Sequence, residues 1–437
     1  MFRSSVQWSQ KTVPITSVTS GPASHFCGFH DIVPWSPSDR LMLGLEADES
    51  DRLPEPGDKV RIGVIDLTTP RSRFTSIAES SCWNWHLGAR QQWLDDERII
   101  YNDTRNGHHI AVIHDLVSGC ETEIGHAVWS VSPDGRWAIA PNFARLRRYY
   151  EVYGYPGGAA PSLRDSAPQD DGLYLIDLRA GTKKLLFSVS EVVAQRYGDE
   201  PNPPQGPFWL THPTFNTDGT GFCFYLRRQL TDGFLYSDFF FADRERDTAK
   251  FLMHGLVSHF DWRDPSHVVV WARESRVLDG FRQGKALENP VILSLFECAR
   301  ATKRAIYGRK KTGAFYLLNV KTGQRQTIGT RVLVEDSHNM LSPDREWMVC
   351  DTYTDNKSNR RLFLYHVESE KRIDIGRFPS PPRLDSGGAH CDLHPRWNRS
   401  GTQVCVDSAQ DETRQIYVAD VEEIVAEPEI GAADCTT

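Results

Sequence analysis

Histidine recurs at one position of a short turn motif in the second half of the chain. In each copy the histidine stands four residues before a polar turn, and a large apolar residue directly precedes that turn. The histidines of this motif are His212, His259, His338 and His394. Neutral imidazole binds transition metals, and imidazole also exchanges protons near neutral pH. If the motif opens equivalent strands around one axis, these side chains converge into a metal-binding or titrating group.

The last copy lies in the segment that is richest in potential metal ligands. This segment contains His390, Cys391, Asp392 and His394 within five residues. Strand alternation places His390, Asp392 and His394 on one side, and Cys391 joins them only where the backbone is irregular. The segment favours a metal site. The alternative is a ring of histidines that are hydrogen-bonded to neighbouring turns.

Other histidines are candidates for contact with a substrate. His86 follows a tryptophan-rich stretch, and His108 with His109 begins the strand after a hairpin. Adjacent strands can bring His86 and His108 together at one rim, although His108 and His109 can also be an ordinary polar hairpin next to Gly107. His30 stands six residues before its own turn, so it is either displaced from the ring of histidines or structural.

Two insertions interrupt the spacing of the motif, at about 141–171 and 273–312. Both are rich in basic residues although the whole chain is acidic. The first insertion also carries tyrosines, and its candidate residues are Arg145, Arg148, Tyr149 and Tyr153. Arginine matches a carboxylate through a planar fork, and tyrosine offers a stacking face and a phenol. The insertions predict loops that bind an anionic ligand, and a solvated basic face is the alternative.

The elements that position these residues follow from the repeat itself. Three further copies keep the turn but lack the histidine, at Trp35, Trp93 and Val131, which makes seven copies. Each copy is followed by a short β-branched and aromatic strand that ends in a polar residue. Such a repeat predicts an all-β protein, a seven-bladed β-propeller with four-stranded antiparallel blades. An N-terminal strand within 12–18 would close the ring, and residues 1–437 would form a single domain.

Composition excludes several classes of protein. The formal net charge of −8 argues against a partner with a nucleic-acid backbone. No run of about 18 apolar residues exists, so we expect no membrane span. Nine cysteines form no evident disulfide framework, which favours a reducing compartment. The N-terminus shows no signal peptide, which favours the cytoplasm and leaves a secreted mature form open.

The turn motif, the segment 391–397 and the stretch from Trp83 to Asp103 resemble the β-propeller polysaccharide lyases. The resemblance is chiefly to ulvan lyases and more distantly to oligogalacturonate lyases. It covers most of the chain, and many other propellers share the turn motif. It implies a catalytic histidine pair, a tyrosine, an arginine that neutralises a carboxylate, and a metal ion.

Carried over to this chain, the resemblance implies the following roles. The catalytic candidates are His86, His108, Tyr149 and Tyr153. The substrate-binding candidate that it implies is Arg145 or Arg148, and from the histidine positions themselves we add His212 and His30. The metal ligands would be His259, His338, Cys391 and His394. With nitrogen and sulfur ligands we expect one divalent ion per chain, namely zinc, with manganese or calcium as alternatives.

β-Elimination at a uronic acid explains why these residue types are needed. The C5 proton becomes acidic only when the C6 carboxylate is neutralised by an arginine, a metal or a strong hydrogen-bond donor. A base then takes that proton, and an acid can protonate the departing O4. A hydrolase would need two carboxylates at a defined separation, and no such pair stands out. We expect a lyase acting on an anionic oligo- or polysaccharide; the alternative is a non-catalytic propeller that binds glycans or proteins.

Overall fold

The computed structural model describes residues 8–426 apart from 49, 70–72, 160–163, 201–203, 231, 247, 275–286, 288, 308–312 and 386. Within these residues the fold is all-β, with few helices, and the strands form six sheets. Two short N-terminal strands, β1 (Trp8–Gln10) and β2 (Ile15–Ser17), join sheets that are built by the end of the chain. The all-β prediction is confirmed.

The next three sheets each contain four antiparallel strands in chain order. The first sheet consists of β3 (Ser24–Phe26), β4 (Leu41–Ala47), β5 (Val60–Asp66) and β6 (Phe74–Ser80). The second consists of β7 (Gln92–Trp93), β8 (Arg98–Arg105), β9 (His108–Asp115) and β10 (Glu121–Ile124). The third consists of β11 (Ser130–Val131), β12 (Trp137–Ala140), β13 (Gly172–Asp177) and β14 (Thr182–Ser188).

The fourth sheet contains seven strands because one long strand belongs to two groups of four. Its strands are β15 (Trp209–Phe215), β16 (Gly221–Gln229), β17 (Leu235–Asp243), β18 (Ala249–Asp264), β19 (His267–Glu274), β20 (Ala314–Asn319) and β21 (Arg325–Ile328). The first part of β18 pairs with β17, and its later part, from Gly255, pairs with β19. The shared strand therefore divides the sheet into two halves.

The last two sheets include the N-terminal strands. One consists of β22 (Asn339–Leu341), β23 (Trp347–Asp351), β24 (Asn359–His366) and β25 (Arg372–Pro379), with β1 parallel to β25. The other consists of β26 (Arg396–Trp397), β27 (Gln403–Asp411) and β28 (Thr413–Asp420), with β2 antiparallel to β28. The last sheet also contacts the first, since the Cys27 amide donates to the Asp407 carboxylate at 3.0 Å.

The polar turns of the motif are built by side chains that replace missing backbone partners. Ser132 donates to the Asp134 carboxylate at 2.5 Å, and its hydroxyl accepts from the Trp137 amide at 2.9 Å. Ser342 repeats the second bond, since its hydroxyl accepts from the Trp347 amide at 3.0 Å. Serine and aspartate therefore recur because they close these turns locally.

Helices occupy both predicted insertions. The helices are α1 (Phe143–Tyr149), α2 (Val189–Tyr197), α3 (Pro290–Tyr307) and α4 (Glu422–Val425). In the first insertion the Asn142 side chain caps α1 by accepting from the Ala144 amide at 3.0 Å. Phe143 and Leu146 of α1 are buried, so this part of the insertion is a packed helix and not a loop. Much of the second insertion, at 275–286 and 308–312, lies outside the described residues.

The hydrophobic core lies between neighbouring sheets. Trp129, Phe143 and Tyr155 stack between the second sheet, the third sheet and α1, with ring centroids 5.9 and 4.4 Å apart. Apolar residues from both faces of the strands fill the space between neighbouring sheets. The polar ends of the inner strands therefore face one another. Among the described helices, none is long and apolar enough to cross a membrane.

Candidate functional site

Two turn-motif histidines, His338 and His394, shortly precede β22 and β26, and the other two, His212 and His259, lie within β15 and β18. Three of the four interrupt regular strand geometry. His212, His259 and His394 have φ angles of 55°, 27° and 44°, a region that side chains other than glycine rarely adopt. The register of the sheet shifts at His212 and at His259, as in a β-bulge. A bulge turns a side chain away from the alternation of its strand, and such irregularities cluster at functional sites.

Four imidazoles meet in what we call the histidine cluster, formed by His30, His259, His338 and His394. The ring centroids of His259 and His338 lie 4.3 Å apart, and those of His338 and His394 lie 4.4 Å apart. His30 lies 5.5 Å from His259 and 5.4 Å from His338. The unusual spacing of His30 from its turn therefore does not separate it from the other histidines.

The protein orients three imidazoles of the cluster through Nδ1. In His259 this atom lies 2.9 Å from the Asp336 carboxylate, and in His338 it lies 2.9 Å from the Asp351 carboxylate. In His394 it donates to the Gly28 carbonyl oxygen at 2.9 Å. With the proton on Nδ1, each ring keeps an Nε2 lone pair for a ligand. Metal-binding histidines are typically held in this way.

Two atoms of the cluster are buried without a hydrogen-bond partner among the residues that the structure describes. These atoms are Nδ1 of His30 and Nε2 of His394, whose residues are 2% and 3% exposed. Burial lowers the pKa of both imidazoles well below its ordinary value, and neighbouring His338 lowers it further. Both rings are therefore neutral at neutral pH. A neutral, buried, unpartnered ring nitrogen is a suitable ligand atom for a divalent cation.

Asp392 adds a carboxylate to the cluster. One carboxylate oxygen of Asp392 and one ring nitrogen from each of His338 and His394 all lie within 4.8 Å of one another. Burial opposes the charged form of Asp392, but the Arg360 guanidinium, whose Nη1 lies 2.7 Å from Oδ1, holds the pKa well below its ordinary value. His338, Asp392 and His394, which we call the first trio, could therefore hold a divalent ion with nitrogen and oxygen ligands.

Cys391 is not brought into this set. Its sulfur lies 3.8 Å from the backbone oxygen of Asp407, and burial raises the pKa of the thiol to about 12. The backbone at 391–395 is indeed irregular, yet it turns Asp392 and not Cys391 toward the histidines. A protonated thiol that faces another strand is a poor metal ligand. The expectation of a sulfur ligand therefore has no support from this geometry.

His86 lies beside the histidine cluster in a second group. Its ring centroid is 4.2 Å from that of His390 and 5.8 Å from that of Tyr153. Burial lowers the pKa of His86 to about 3, and His390 adds to this effect. Ligand atoms of His86, His390 and Asp392 also lie within 4.8 Å of one another. We call these residues the second trio.

A wall of aromatic residues and one arginine faces the histidines. Tyr153 lies 4.9 Å from His212 and stacks on Tyr150 at 4.8 Å between ring centroids. The guanidinium of Arg227, a buried residue, lies 4.4 Å from the ring centroid of Tyr225 and 5.5 Å from that of Tyr150. The structure thus brings predicted Tyr153 and His212 together and adds Tyr150 and Arg227, which no sequence motif marks.

Other predicted residues lie in different surroundings. His108 is exposed at the hairpin between β8 and β9, opposite Arg105. Arg148 is exposed above the ring of Tyr149. Tyr149 itself stacks on Trp209, with ring centroids 6.2 Å apart. These contacts, within the described part of the chain, are with residues outside the histidine cluster.

Arg145 is buried in the protein and not presented to a ligand. Its Nε donates to the Phe208 carbonyl at 2.8 Å, and its Nη2 donates to the carbonyls of Asp165 and Ser166 at 2.8 and 3.0 Å. The residue is 2% exposed. These bonds hold the segment before β15 against α1, which is a structural task. Arginines that do lie near the imidazoles include Arg227, Arg360 and Arg396, which donates to the same Gly28 carbonyl oxygen as His394.

Comparison with known proteins extends these observations to the fold. No family model and no curated protein matches the chain. Among solved structures, an oligogalacturonate lyase in complex with manganese is similar, with a TM-score of 0.62 and 13% identity over 96% of both chains. An oligogalacturonate lyase from Vibrio parahaemolyticus has a TM-score of 0.60 and 13% identity over 94% of both chains. The chain therefore shares the fold of these two lyases over nearly its whole length.

Proposed function

We propose that this protein is a metal-dependent lyase that cleaves the glycosidic bond next to a uronate by β-elimination. The observation that carries the proposal is the convergence of oriented imidazoles with the Asp392 carboxylate. The shared fold with two oligogalacturonate lyases supports it. An anionic oligo- or polysaccharide would be the substrate.

We also propose that the sheets form a closed ring of seven blades. The two halves of the seven-stranded sheet count as separate blades that share β18, whose later part pairs with β19 from Gly255. Strand β2 completes the last blade by pairing with β28, and contacts such as that of Asn398 with Asp39, at 3.1 Å, join the last blade to the first. Closure of this kind protects the sheet edges.

The first trio fits a divalent ion with nitrogen and oxygen ligands. Imidazole and carboxylate suit manganese as well as zinc, and the lack of a thiolate removes the main reason to prefer zinc. One of the similar lyases contains manganese. His338, Asp392 and His394 would hold the ion, which supplies a positive charge for the substrate carboxylate. Asp351 and Arg360 orient these ligands.

His259 is the best-placed base. It is partly exposed, with 10% of its side chain accessible, and Asp336 orients it through Nδ1. Its Nε2 would take the C5 proton while the C4–O4 bond breaks and a C4–C5 double bond forms. Asp336 stabilises the imidazolium that results, as a carboxylate does in other histidine pairs.

The facing wall would supply the acid and bind the rest of the sugar. Burial raises the pKa of the Tyr153 phenol well above its ordinary value, so the phenol stays protonated and can donate to the departing O4. His212 and His30 line the same space and would contact the sugar. Arg148, exposed on α1, would only meet saccharide units farther from the cleaved bond.

The proposal is tested by product formation on defined substrates. Protein supplied with Mn²⁺ would be incubated with oligogalacturonate, with ulvan and with a neutral oligosaccharide as the control. We expect the ultraviolet absorbance of an unsaturated uronate with a uronate substrate only. His259→Ala should lower the rate by about 1,000-fold or more and leave metal content unchanged. Binding of the uronates without any unsaturated product would identify a non-catalytic binding module instead.

A further inference from the structure

We infer that the second trio forms a second divalent-cation site that shares Asp392 with the first trio. The protein would then hold a two-metal centre. The ligands of the second ion would be His86, from the segment before β7, with His390 and Asp392 from the segment before β26. The second site itself concerns metal binding alone. Only its consequence for substrate recognition rests on the proposed function.

The hydrogen bonds of His390 are the first argument. Its Nδ1 lies 2.6 Å from the Gly387 carbonyl oxygen, which can only accept, so Nδ1 carries a proton. The other ring nitrogen, Nε2, lies 2.9 Å from the Asp392 Oδ2, so a proton or a cation must lie between or beside these two atoms. A carbonyl-oriented imidazole next to a carboxylate is a common arrangement at metal sites.

The environment of His86 is the second, independent argument. This residue is 2% exposed, and its Nε2 has no hydrogen-bond partner among the described residues. Its Asn84 neighbour accepts from the His86 backbone amide at 3.0 Å, which fixes the turn that carries the imidazole. An unpartnered buried ring nitrogen costs free energy. A cation bound by His86 and His390, whose ring centroids are 4.2 Å apart, would satisfy it.

Asp392 connects the two sites through one oxygen. Its Oδ2 lies 2.9 Å from His390 Nε2 and 3.9 Å from His338 Nε2, whereas Oδ1 is held by Arg360 at 2.7 Å. Ligands at right angles around an ion with bonds of about 2.1 Å lie about 3 Å apart, and opposite ligands lie about 4.2 Å apart. Both distances to Oδ2 fit this range. A bridging carboxylate is typical of two ions about 3.5–4 Å apart.

The consequence for recognition is a ligand with a carboxylate that spans both ions. Asp351 and Asp392 contact the imidazoles of the two trios directly, and the Arg360 guanidinium offsets one of their charges. Each bound dication adds two positive charges, so a second ion makes this set more positive. A positive site attracts the uronate of the proposed substrate, and this last step rests on the proposed function.

Metal stoichiometry tests the inference without any substrate. Wild type, His390→Ala and the control His267→Ala would be dialysed against Mn²⁺ and analysed by elemental mass spectrometry. His267 is a matched control because its Nδ1 also contacts a carboxylate, that of Asp264 at 2.9 Å, and it belongs to neither trio. We expect two ions per chain in wild type and in the control, and one ion in His390→Ala.

Electron paramagnetic resonance provides a second measurement on the same samples. Two neighbouring Mn²⁺ ions broaden each other's spectrum, and we expect this coupling in wild type and its replacement by a simple six-line spectrum in His390→Ala. If His390→Ala fails to fold, His86→Gln takes its place and should give the same loss of one ion. One ion in wild type, or two ions in a folded His390→Ala, would overturn the inference. A protein that binds two ions but cleaves no uronate would refute the proposed function and leave the second site standing.

Discussion

The histidine cluster and helix α1 differ in what their polar atoms contact. His259, His338 and His394 each use Nδ1 for a carboxylate or a carbonyl and keep Nε2 for something else. Arg145 of α1 uses its guanidinium for three backbone carbonyls. The protein therefore orients the imidazoles of the cluster but leaves their Nε2 atoms for a ligand, whereas the Arg145 guanidinium spends its hydrogen bonds on the protein itself. Buried polar groups whose hydrogen bonds are not satisfied by the protein are the ones that indicate a bound ligand.

Among the substitutions that test this comparison, Asp392→Asn should have the largest effect on stability and metal content. The change removes the only carboxylate that both trios share and leaves Arg360 without its partner at 2.7 Å. Both residues are at most 4% exposed at the side chain, so breaking the pair should cost about 3–5 kcal/mol of unfolding free energy. Metal content should fall sharply in the molecules that remain folded. Denaturant unfolding and elemental analysis would measure the two effects.

Asp385→Asn is the matched control for Asp392→Asn. Asp385 also faces Arg360, at 3.6 Å, but its side chain is 25% exposed and it belongs to neither trio. We expect little change in metal content and a smaller loss of stability. Equal metal loss in the two variants would show that Arg360, and not the shared carboxylate, controls the site.

His86→Ala should have the next largest effect on turnover. The imidazole contacts His390 and Tyr153 and has an unpartnered Nε2, so we expect a rate lower by about 100-fold or more on a confirmed substrate. The melting temperature should change little, because Nε2 of His86 has no hydrogen-bond partner among the described residues. Steady-state kinetics and thermal unfolding would be measured together. More than a tenth of wild-type activity in the variant would remove His86 from the site.

Arg145→Ala should have the opposite effect to His86→Ala, with lower stability and nearly unchanged turnover. Its loss leaves the carbonyls of Phe208, Asp165 and Ser166 without a donor, which should cost about 2–4 kcal/mol of unfolding free energy. Activity per folded molecule should stay near that of wild type. Active-site titration with thermal unfolding would separate the two quantities. A loss of turnover at unchanged stability would instead return α1 to the site.

Arg148→Ala is the matched control and should have the smallest effect. The side chain is exposed above Tyr149, so stability should change by no more than about 0.5 kcal/mol. Turnover of a short substrate should stay within about twofold of wild type. A strong effect on short substrates would place this arginine at the cleaved bond.

The repeat predicted more of the molecule than composition did. The turn motif predicted the meeting of His259, His338 and His394, because equivalent positions in a repeat are related by the fold. The N-terminal strand was also predicted, within 12–18, and β2 lies at Ile15–Ser17. Its pairing with β28 is observed, while ring closure stays a proposal.

Composition failed where a side chain's partner is set by tertiary contacts. The arginines and tyrosines of the first insertion predicted a ligand-binding loop, but the Asn142 cap and the buried Phe143 make that stretch a helix. His108 was predicted from its hairpin, and the structure leaves it exposed. Asp336 and Arg360 carry no local pattern, since their partners are distant in sequence. Only spatial proximity identifies them.

The most direct test of the central claim is the metal dependence of uronate cleavage. Protein treated with a chelator and then desalted would be assayed for the unsaturated product before and after addition of Mn²⁺, with His338→Ala alongside. We predict that chelation abolishes product formation, that Mn²⁺ restores it in wild type, and that His338→Ala does not recover. Undiminished cleavage by metal-free protein, or full recovery of His338→Ala, would contradict a metal held by the histidine cluster.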